Sequence, residues 1–456
     1  MPIDFKHPDY VEHQPIWKRI DDCTRLKNLK SYIPTLNPSD KSVGNAERNQ
    51  AYKERAVFYA VTRQTITGLL GLMFSKAPSI ELQIQLEYMM TNIDGAGISL
   101  YQQMKASSDD VTRFGRAGLY PSFPKRDAPA SRADIQNLTA VAAISRIEPQ
   151  SIINWRTKQR GAQIVLSLVV IQESVDDVKD DGYTTESIDQ IRELYLDNDV
   201  YSERLWRKNA KKEWEVHESY VPKDSAGKTF DTIQFHFIGS ENNDHNVDSP
   251  PAQALTDINF AHFLNSADWE DSVFFAGQPQ SWMSGVSQAR LDYMKENNIY
   301  VGSRNPITLE DGGQFGFASP NIDPLSRVAM MDKVELMVAL GALLIQPNGS
   351  VKTATEAAGD IQARHSPLSM IAMNVSEAYS AALASAGRFM GTSEAALVEL
   401  STDFVRPETS PQELQAIMTG FIQGSVPIGQ YVEYMQSRGF FDAEKSLEEM
   451  ADELTP

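Results

Sequence analysis

The residues of this chain that could do chemistry by type are seven histidines, one cysteine and several clustered carboxylates. The histidines are His7, His13, His217, His236, His245, His262 and His365. No two stand at the H-x-x-x-H spacing that sets two imidazoles on one helix face, so no metal site is expected. Asp177-Val178-Lys179-Asp180-Asp181-Gly182 has the outline of a calcium loop. Its third position is Lys179, however, and its twelfth, where a bidentate glutamate belongs, is Ile188. The segment reads as a solvated acidic turn. Gly391-Thr392-Ser393-Glu394-Ala395 approaches a nucleophile elbow but lacks the second glycine. Neither the P-loop pattern nor the dinucleotide-binding glycine pattern occurs. Cys23 stands alone, so the fold does not depend on a disulfide. The chain is therefore expected to hold no catalytic residue, cofactor or metal, and to be no enzyme.

Composition narrows the classes further. The chain has 456 residues, 41% hydrophobic and 23% charged, which is ordinary globular usage. Its 42 Lys and Arg against 61 Asp and Glu give a net charge of −19. A surface this acidic should not grip nucleic acid, because that grip comes from clustered cations on phosphates. Asp4, Lys6, His7, Asp9 and Glu12 interrupt any export signal. The best apolar run, Leu336 to Val351, contains Pro347, Asn348 and Gly349 and is shorter than the roughly 20 residues a bilayer needs. No membrane partner is expected, and synthesis in a cytoplasm is.

The elements follow from periodicity and breakers. Residues 1–50 are polar and broken by Pro34, Pro38 and Gly44, which predicts an arm with a short helix near Trp17. Ala51 to Phe74 is predicted as one helix on the stripe Ile66, Leu69, Leu70 and Met73, and Ser99 to Phe114 as another, after the turn Asp94-Gly95-Ala96-Gly97. Tyr120 to Pro129 holds three prolines and is predicted as a loop. Ile144 to Tyr220 reads as β structure. Ile164 to Ile171 is its well-buried strand, with shorter strands at Ile191–Leu196, Tyr201–Trp206 and Glu213–His217 and acidic loops at Asp176–Asp181 and Asp197–Asp199. Phe235 to Gly239 is a further strand before Pro250-Pro251.

Ala252 to Phe275 reads as a helix, and the next fifty residues as a Gly/Pro-rich α/β excursion with a short helix over Gln288 to Glu296. Ser326 to Ile345 is the clearest apolar helix, with Met330, Val334, Met337, Gly341 and Leu344 at alternating spacings of three and four. Gln346 to Ser350 is a loop. Thr353 to Phe389 is helical, with a kink or break predicted at Pro367. Ala396 to Phe404 is a strand and Pro411 to Glu453 is helical. The fold class is α+β.

This order of elements resembles that of tailed-bacteriophage portal proteins, the head-to-tail connectors. Local blocks carry the resemblance too. Asn92-Ile93-Asp94-Gly95-Ala96-Gly97-Ile98-Ser99-Leu100 is similar to the N-[VI]-D-G-x-G-x-S-L segment of one portal-like family. Gly115-Arg116-Ala117-Gly118-Leu119, Ile153-Asn154-Trp155-Arg156, Gln253 to Pro279 and Thr353-Ala354-Thr355-Glu356-Ala357 match further blocks. Where the family continues its glycine block with a valine-aspartate strand, this chain has Tyr120-Pro121-Ser122-Phe123-Pro124. The likeness spans about Ala51 to Phe404.

The resemblance implies a ring, typically of twelve subunits, around a DNA channel at one capsid vertex. Residues 1–50 would be an N-terminal arm, 51–249 the wing, 250–275 the first stem helix, 276–325 the clip, 326–345 the second stem helix and 346–352 the tunnel loop. Residues 353–410 would be the kinked long helix with a wing strand, and 411–456 the crown. Implied partners are further copies of the chain, double-stranded viral DNA passing without tight binding, the large terminase, a tail adaptor, and capsid and scaffolding proteins. The implied site residues are Gln346, Asn348, Ser350 and Lys352 in the tunnel loop, Met330, Val334, Met337, Gly341 and Leu344 in stem packing, Pro367 at the kink, and Trp282 and Arg304 in the clip. Lys352 is the only cation between Val334 and Ala363. Such a loop could touch a DNA backbone without holding it, or be an ordinary solvent loop. Alternatives for the whole chain are another virion structural protein, such as a head-tail adaptor or minor head protein, and an intracellular hydrolase.

Overall fold

The computed structural model describes residues 2–125, 140–178, 183–278, 280–297, 309–318, 324–344, 366–392 and 396–402, with isolated positions beyond. Met1–Thr402 forms one compact unit and Asp403–Pro456 a second, of which only those isolated positions are described. The predicted helices over Pro411–Glu453 lie outside the described residues.

The first departure from expectation is at the N-terminus. Residues 8–25 form an 18-residue helix, α1 (Pro8–Arg25), with Pro8 in its first turn and the His7 side chain accepting from the Asp9 N–H. Its apolar positions are core: Trp17 is fully buried and donates its indole N–H to the Phe114 carbonyl at 2.9 Å. The expected arm is a packed element because Tyr10, Trp17 and Ile20 share one helix face.

The second departure concerns the helix predicted over Ala51–Phe74, which is two helices, α2 (Val43–Arg55) and α3 (Val61–Met73). The intervening backbone is held from far away in sequence. Ser266 bonds both the Val57 N–H and the Val57 carbonyl at 2.8 Å, and Asn259 accepts from the Thr62 N–H and donates to the Tyr59 carbonyl. Those side chains satisfy polar groups that a continuous helix would have satisfied internally.

Strand β1 (Ser79–Glu81) comes next, and then α4 (Leu100–Phe114), where the expected signals operate in full. Ser99 and Gln102 form a reciprocal capping box, and Gly115 closes the helix at φ +75°. The predicted loop after it is strand for its first part: β2 (Arg116–Ser122) carries Tyr120 and Pro121. Strands β3 (Ala143–Ile147) and, further on, β9 (His236–Gly239) flank β2 in a three-stranded sheet. The last β2–β9 pair is Leu119 with His236, so Pro121 pairs with β3 alone, at Ile144, and its missing N–H leaves no gap in the β9 ladder.

The second sheet is an antiparallel meander of β4 (Ile152–Arg160), β5 (Gln163–Val178), β6 (Thr185–Asp197), β7 (Val200–Lys208) and β8 (Trp214–Tyr220). The predicted acidic loop at Asp197–Asp199 is a two-residue hairpin in which Asn198 (φ 47°) and Asp199 (φ 62°) are both left-handed. The β-branched run is buried only from Val169 to Ile171; Ile164 is 70% exposed, because β5 begins outside the core. Within the core, Tyr120, Tyr201 and Tyr220 all aim their hydroxyls at the buried Glu203 carboxylate, which also faces Arg192.

The remaining elements are α5 (Gln253–Gly277), β10 (Gln280–Ser284), α6 (Gln288–Glu296), β11 (Gln314–Ala318), α7 (Leu325–Leu343), α8 (Pro367–Phe389) and β12 (Leu397–Glu399), which pairs with β1. β12 is shorter than the predicted Ala396–Phe404. Pro367 occupies the first turn of α8, and Ser366 before it is extended (ψ 157°) with its hydroxyl accepting from the Ser369 N–H. The chain therefore starts a helix at Pro367 rather than kinking one, which is where a proline, lacking an N–H, costs nothing. Thr353–His365 lies outside the described residues.

Candidate functional site

The region with most to offer a partner is the pair α5 and α7 with the hairpin between them. The α5 helix leads into β10, which pairs antiparallel with β11 from Gln280–Ala318 to Ser284–Gln314, and the chain returns along α7. The two helices thus run antiparallel. Lys333 on α7 donates to the Asn265 side chain on α5 at 2.7 Å.

A second set of contacts braces α5 near the hairpin. Arg48 and Arg55 on α2 both bind the Asp271 carboxylate, Arg55 at 2.9 Å, and Tyr52 donates to Asp268 at 2.6 Å. The two guanidinium groups also lie over aromatic faces, Arg48 over Phe275 and Arg55 over Phe274. The i, i+7 arginines and i, i+3 aspartates were visible in the sequence, but nothing there joined positions more than 200 residues apart.

Of the residues predicted for stem packing, Met337 and Gly341 are buried, and Met330, Val334 and Leu344 are half-buried. They face inward. A Cβ at Gly341 would stand 3.2 Å from the Thr65 methyl of α3, so the glycine permits that close approach. The other side of α7 is left uncovered. Leu325 (69% exposed), Val328, Met331, Leu336 and Val338 (66% exposed) all face solvent there, with Asp332 and Glu335 between them. This outer side was missed because its acids break the apolar stripe.

In the hairpin, Trp282 is exposed on one side and lies flat on Gly316, where a Cβ would come within 2.8 Å of the indole. Ser287 caps α6, and its N–H and hydroxyl bond to Glu310. Arg304, and the predicted tunnel-loop residues Gln346, Asn348, Ser350 and Lys352, lie outside the described residues.

His236 Nε2 meets the Ser385 hydroxyl at 2.8 Å, the geometry of a nucleophile and its base. Burial, aided by Arg388, pushes this imidazole down to about 4, and Ser385 is fully buried. A base that weak, beside a hydroxyl no substrate reaches, is a packing contact. His262 on α5 is buried with neither ring nitrogen bonded; burial and Lys333 lower its pKa. Among the described residues no group of three or more His, Cys, Asp or Glu could hold a metal ion, and no helix is long and apolar enough to cross a membrane.

Comparison with known proteins gives three findings. Residues 251–390, which take in the helix pair, the hairpin and α8, match a domain of unknown function (DUF4055). No curated protein matches the chain. Among solved structures, the virion of a native gene transfer agent particle is similar at 13% identity and a TM-score of 0.40, over 80% of this chain and 87% of that one. The neck of the empty particle, computed with C6 symmetry, is similar at 14% identity and 0.39, over 84% and 90%. The neck of the native particle, computed with C12 symmetry, is similar at 13% identity and 0.38, over 81% and 88%.

Proposed function

We propose that this chain is the subunit of a bacteriophage portal ring at one capsid vertex of the virion. The ring is the channel for genome packaging and ejection, and it is the platform on which the packaging motor and tail adaptor dock. The sequence blocks described above support this reading, and so does the arrangement of two antiparallel helices with a hairpin module at one end. The observation that carries it is the outer side of α7. Each large apolar side chain moved from water to an interface contributes about 1.5–3 kcal/mol, and five stand exposed on that one helix. Copies set side by side in a closed ring cover such a face with a different face of the neighbour. The acidic balance of the chain suits a conduit through which a polyanion slides without being held.

Mass photometry of the purified chain tests the reading. A twelve-membered ring of the 50.8 kDa subunit would appear at about 610 kDa. Met331→Asp combined with Val338→Asp is expected to abolish that species while leaving the single chain within about 0.5 kcal/mol of its original stability, since both side chains are exposed. A wild-type chain that remains single at every concentration rules the reading out, and so does a doubly substituted chain that assembles normally.

A further inference from the structure

The five-stranded sheet does not end squarely. β4 pairs with β5 only as far as Ile171, and β7 pairs with β6 only from Gln190 onward. Between those limits, Ser174–Val178 and Thr185–Asp189 pair with each other alone, as a two-stranded ribbon beyond the sheet. An isolated two-stranded ribbon is at best marginally stable in water, so one that projects is a candidate for a partner. Its register sets Ser174 opposite Asp189 and Asp176 opposite Ser187 on one face, all four exposed. From Gln172 to Gln190 the sequence carries seven carboxylates and one lysine.

The opposite charge is concentrated at residues 25–55, where seven Lys and Arg meet three Asp and Glu in a chain whose net charge is −19. Here an open cavity of about 630 Å³ is lined by Lys30, Lys41 and Lys53. None of the three forms a salt bridge among the described residues. The two carboxylates on the cavity wall are engaged locally: Asp40 accepts from the Ser42 N–H at 2.9 Å, and Glu54 accepts from the Gln50 side chain at 2.9 Å.

We propose that the acidic ribbon of one copy docks on the lysine-lined cavity of the next. The inference rests on the ring reading above and names one contact within it. The two patches are different surfaces of the same chain, as a head-to-tail contact requires. Asp40 and Glu54 disfavour a nucleic-acid occupant, whose phosphates they would repel, and leave room for an edge that brings alternating serine and aspartate. Another cation-rich stretch, with Lys211 and Lys212, is the turn of the β7–β8 hairpin, and in a third, Arg156 to Arg160, Lys158 and Arg160 are already paired with Asp199 and Asp231.

Charge reversal on the full-length chain tests this. Variant one carries Asp176→Lys and Asp189→Lys; variant two carries Lys30→Glu, Lys41→Glu and Lys53→Glu. Each alone is expected to need at least about tenfold more protein than the wild type to form rings in mass photometry at low salt. An equal mixture is expected to recover wild-type assembly, because in an alternating ring the ribbon face at positions 174, 176, 187 and 189 again meets a cavity of opposite charge. Lys211→Glu with Lys212→Glu, as a control, is expected to assemble normally. Matching circular-dichroism melting curves confirm that the variants fold. Rings unaffected by either reversal, or a mixture that fails to recover, overturn this contact while leaving the ring reading intact. A wild-type chain that never assembles overturns both.

Discussion

The Glu203 cluster of the sheets and the helix pair treat their unusual side chains in opposite ways. In the sheets, the buried Glu203 carboxylate collects the hydroxyls of Tyr120, Tyr201 and Tyr220 from three strands, and burial together with that carboxylate raises the pKa of all three phenols. In the helix pair, His262 is buried with both ring nitrogens unbonded, the Thr256 hydroxyl is likewise unbonded, and five large apolar side chains of α7 face water. The Glu203 cluster closes upon itself, although Arg116 on β2 keeps two buried guanidinium nitrogens without a partner. The helix pair leaves surface that a single copy does not use. The difference separates the part of the molecule that specifies the fold from the part offered to other molecules.

Breaking the Glu203 side of that contrast should have the largest effect. Glu203→Ala strands three buried hydroxyls and leaves Arg192 with fewer carboxylate contacts, though its pairing with Glu173 remains. Removing one member of a buried, hydrogen-bonded charge network costs about 3–5 kcal/mol. Denaturant unfolding of the single chain should show a loss of that size, whereas Tyr220→Phe should lose only about 1 kcal/mol. A Glu203→Ala loss below about 1 kcal/mol would mean that the cluster is not the keystone of the sheet.

How far the sequence revealed each region depends on the distance over which residues act. Signals that act within a few residues were legible: the Ser99 cap, the Gly115 terminus, and the short helix over Gln288–Glu296, which α6 matches residue for residue. Interruptions imposed from elsewhere were not. The stripe Ile66, Leu69, Leu70 and Met73 is real, but nothing near Val57 announces that Ser266 and Asn259 will hold the chain extended there. Pro121 looked like a breaker because the sequence does not say that β9 stops two residues earlier. In the helix pair, periodicity selected Met330, Val334, Met337, Gly341 and Leu344, the cleanest stripe, and that stripe lies toward the chain's own interior. The outer side mixes Asp332 and Glu335 with its apolar residues, so no moment marks it.

Acid should sharpen the contrast through two histidines. Both have folded pKa values below the ordinary 6.5, His236 down to about 4 by burial and then Arg388, and His262 by burial and then Lys333. The unfolded chain therefore takes up protons that the folded chain refuses. The stability due to each neutral imidazole is complete above about pH 6.5 and declines as pH falls toward the folded value, by about 1.4 kcal/mol per unit for each histidine. For His236 this window runs from about 6.5 to about 4. Melting temperatures measured from pH 7.5 to 4.5 should fall less steeply in His262→Leu and in His236→Leu than in the wild type. The substitutions should differ at pH 7.5. His262→Leu gives up no hydrogen bond, whereas His236→Leu loses the bond to Ser385. An unchanged acid slope in His262→Leu would show that this imidazole takes up its proton equally well in the folded and the unfolded chain.

The smallest effect tests whether the helix pair is loosely built or only incompletely covered. At Gly341 the nearest neighbour of an added methyl would be the Thr65 Cγ2 at 3.2 Å, with the Thr65 hydroxyl at an ordinary 3.8 Å. Alanine in a helix interior is favoured over glycine by about 1 kcal/mol. Gly341→Ala alone sets that gain against a tight contact between α7 and α3. Thr65→Ser removes the one atom in the way. The double substitution should therefore be more stable than Thr65→Ser alone by about 0.5–1 kcal/mol, and that increment should exceed the one Gly341→Ala produces with Thr65 in place. Equal increments in the two backgrounds would mean that α7 yields freely against α3. Unequal increments would mean that the inner seam is as closely fitted as the core between the sheets, so that the exposed outer side reflects a missing neighbour and not poor packing.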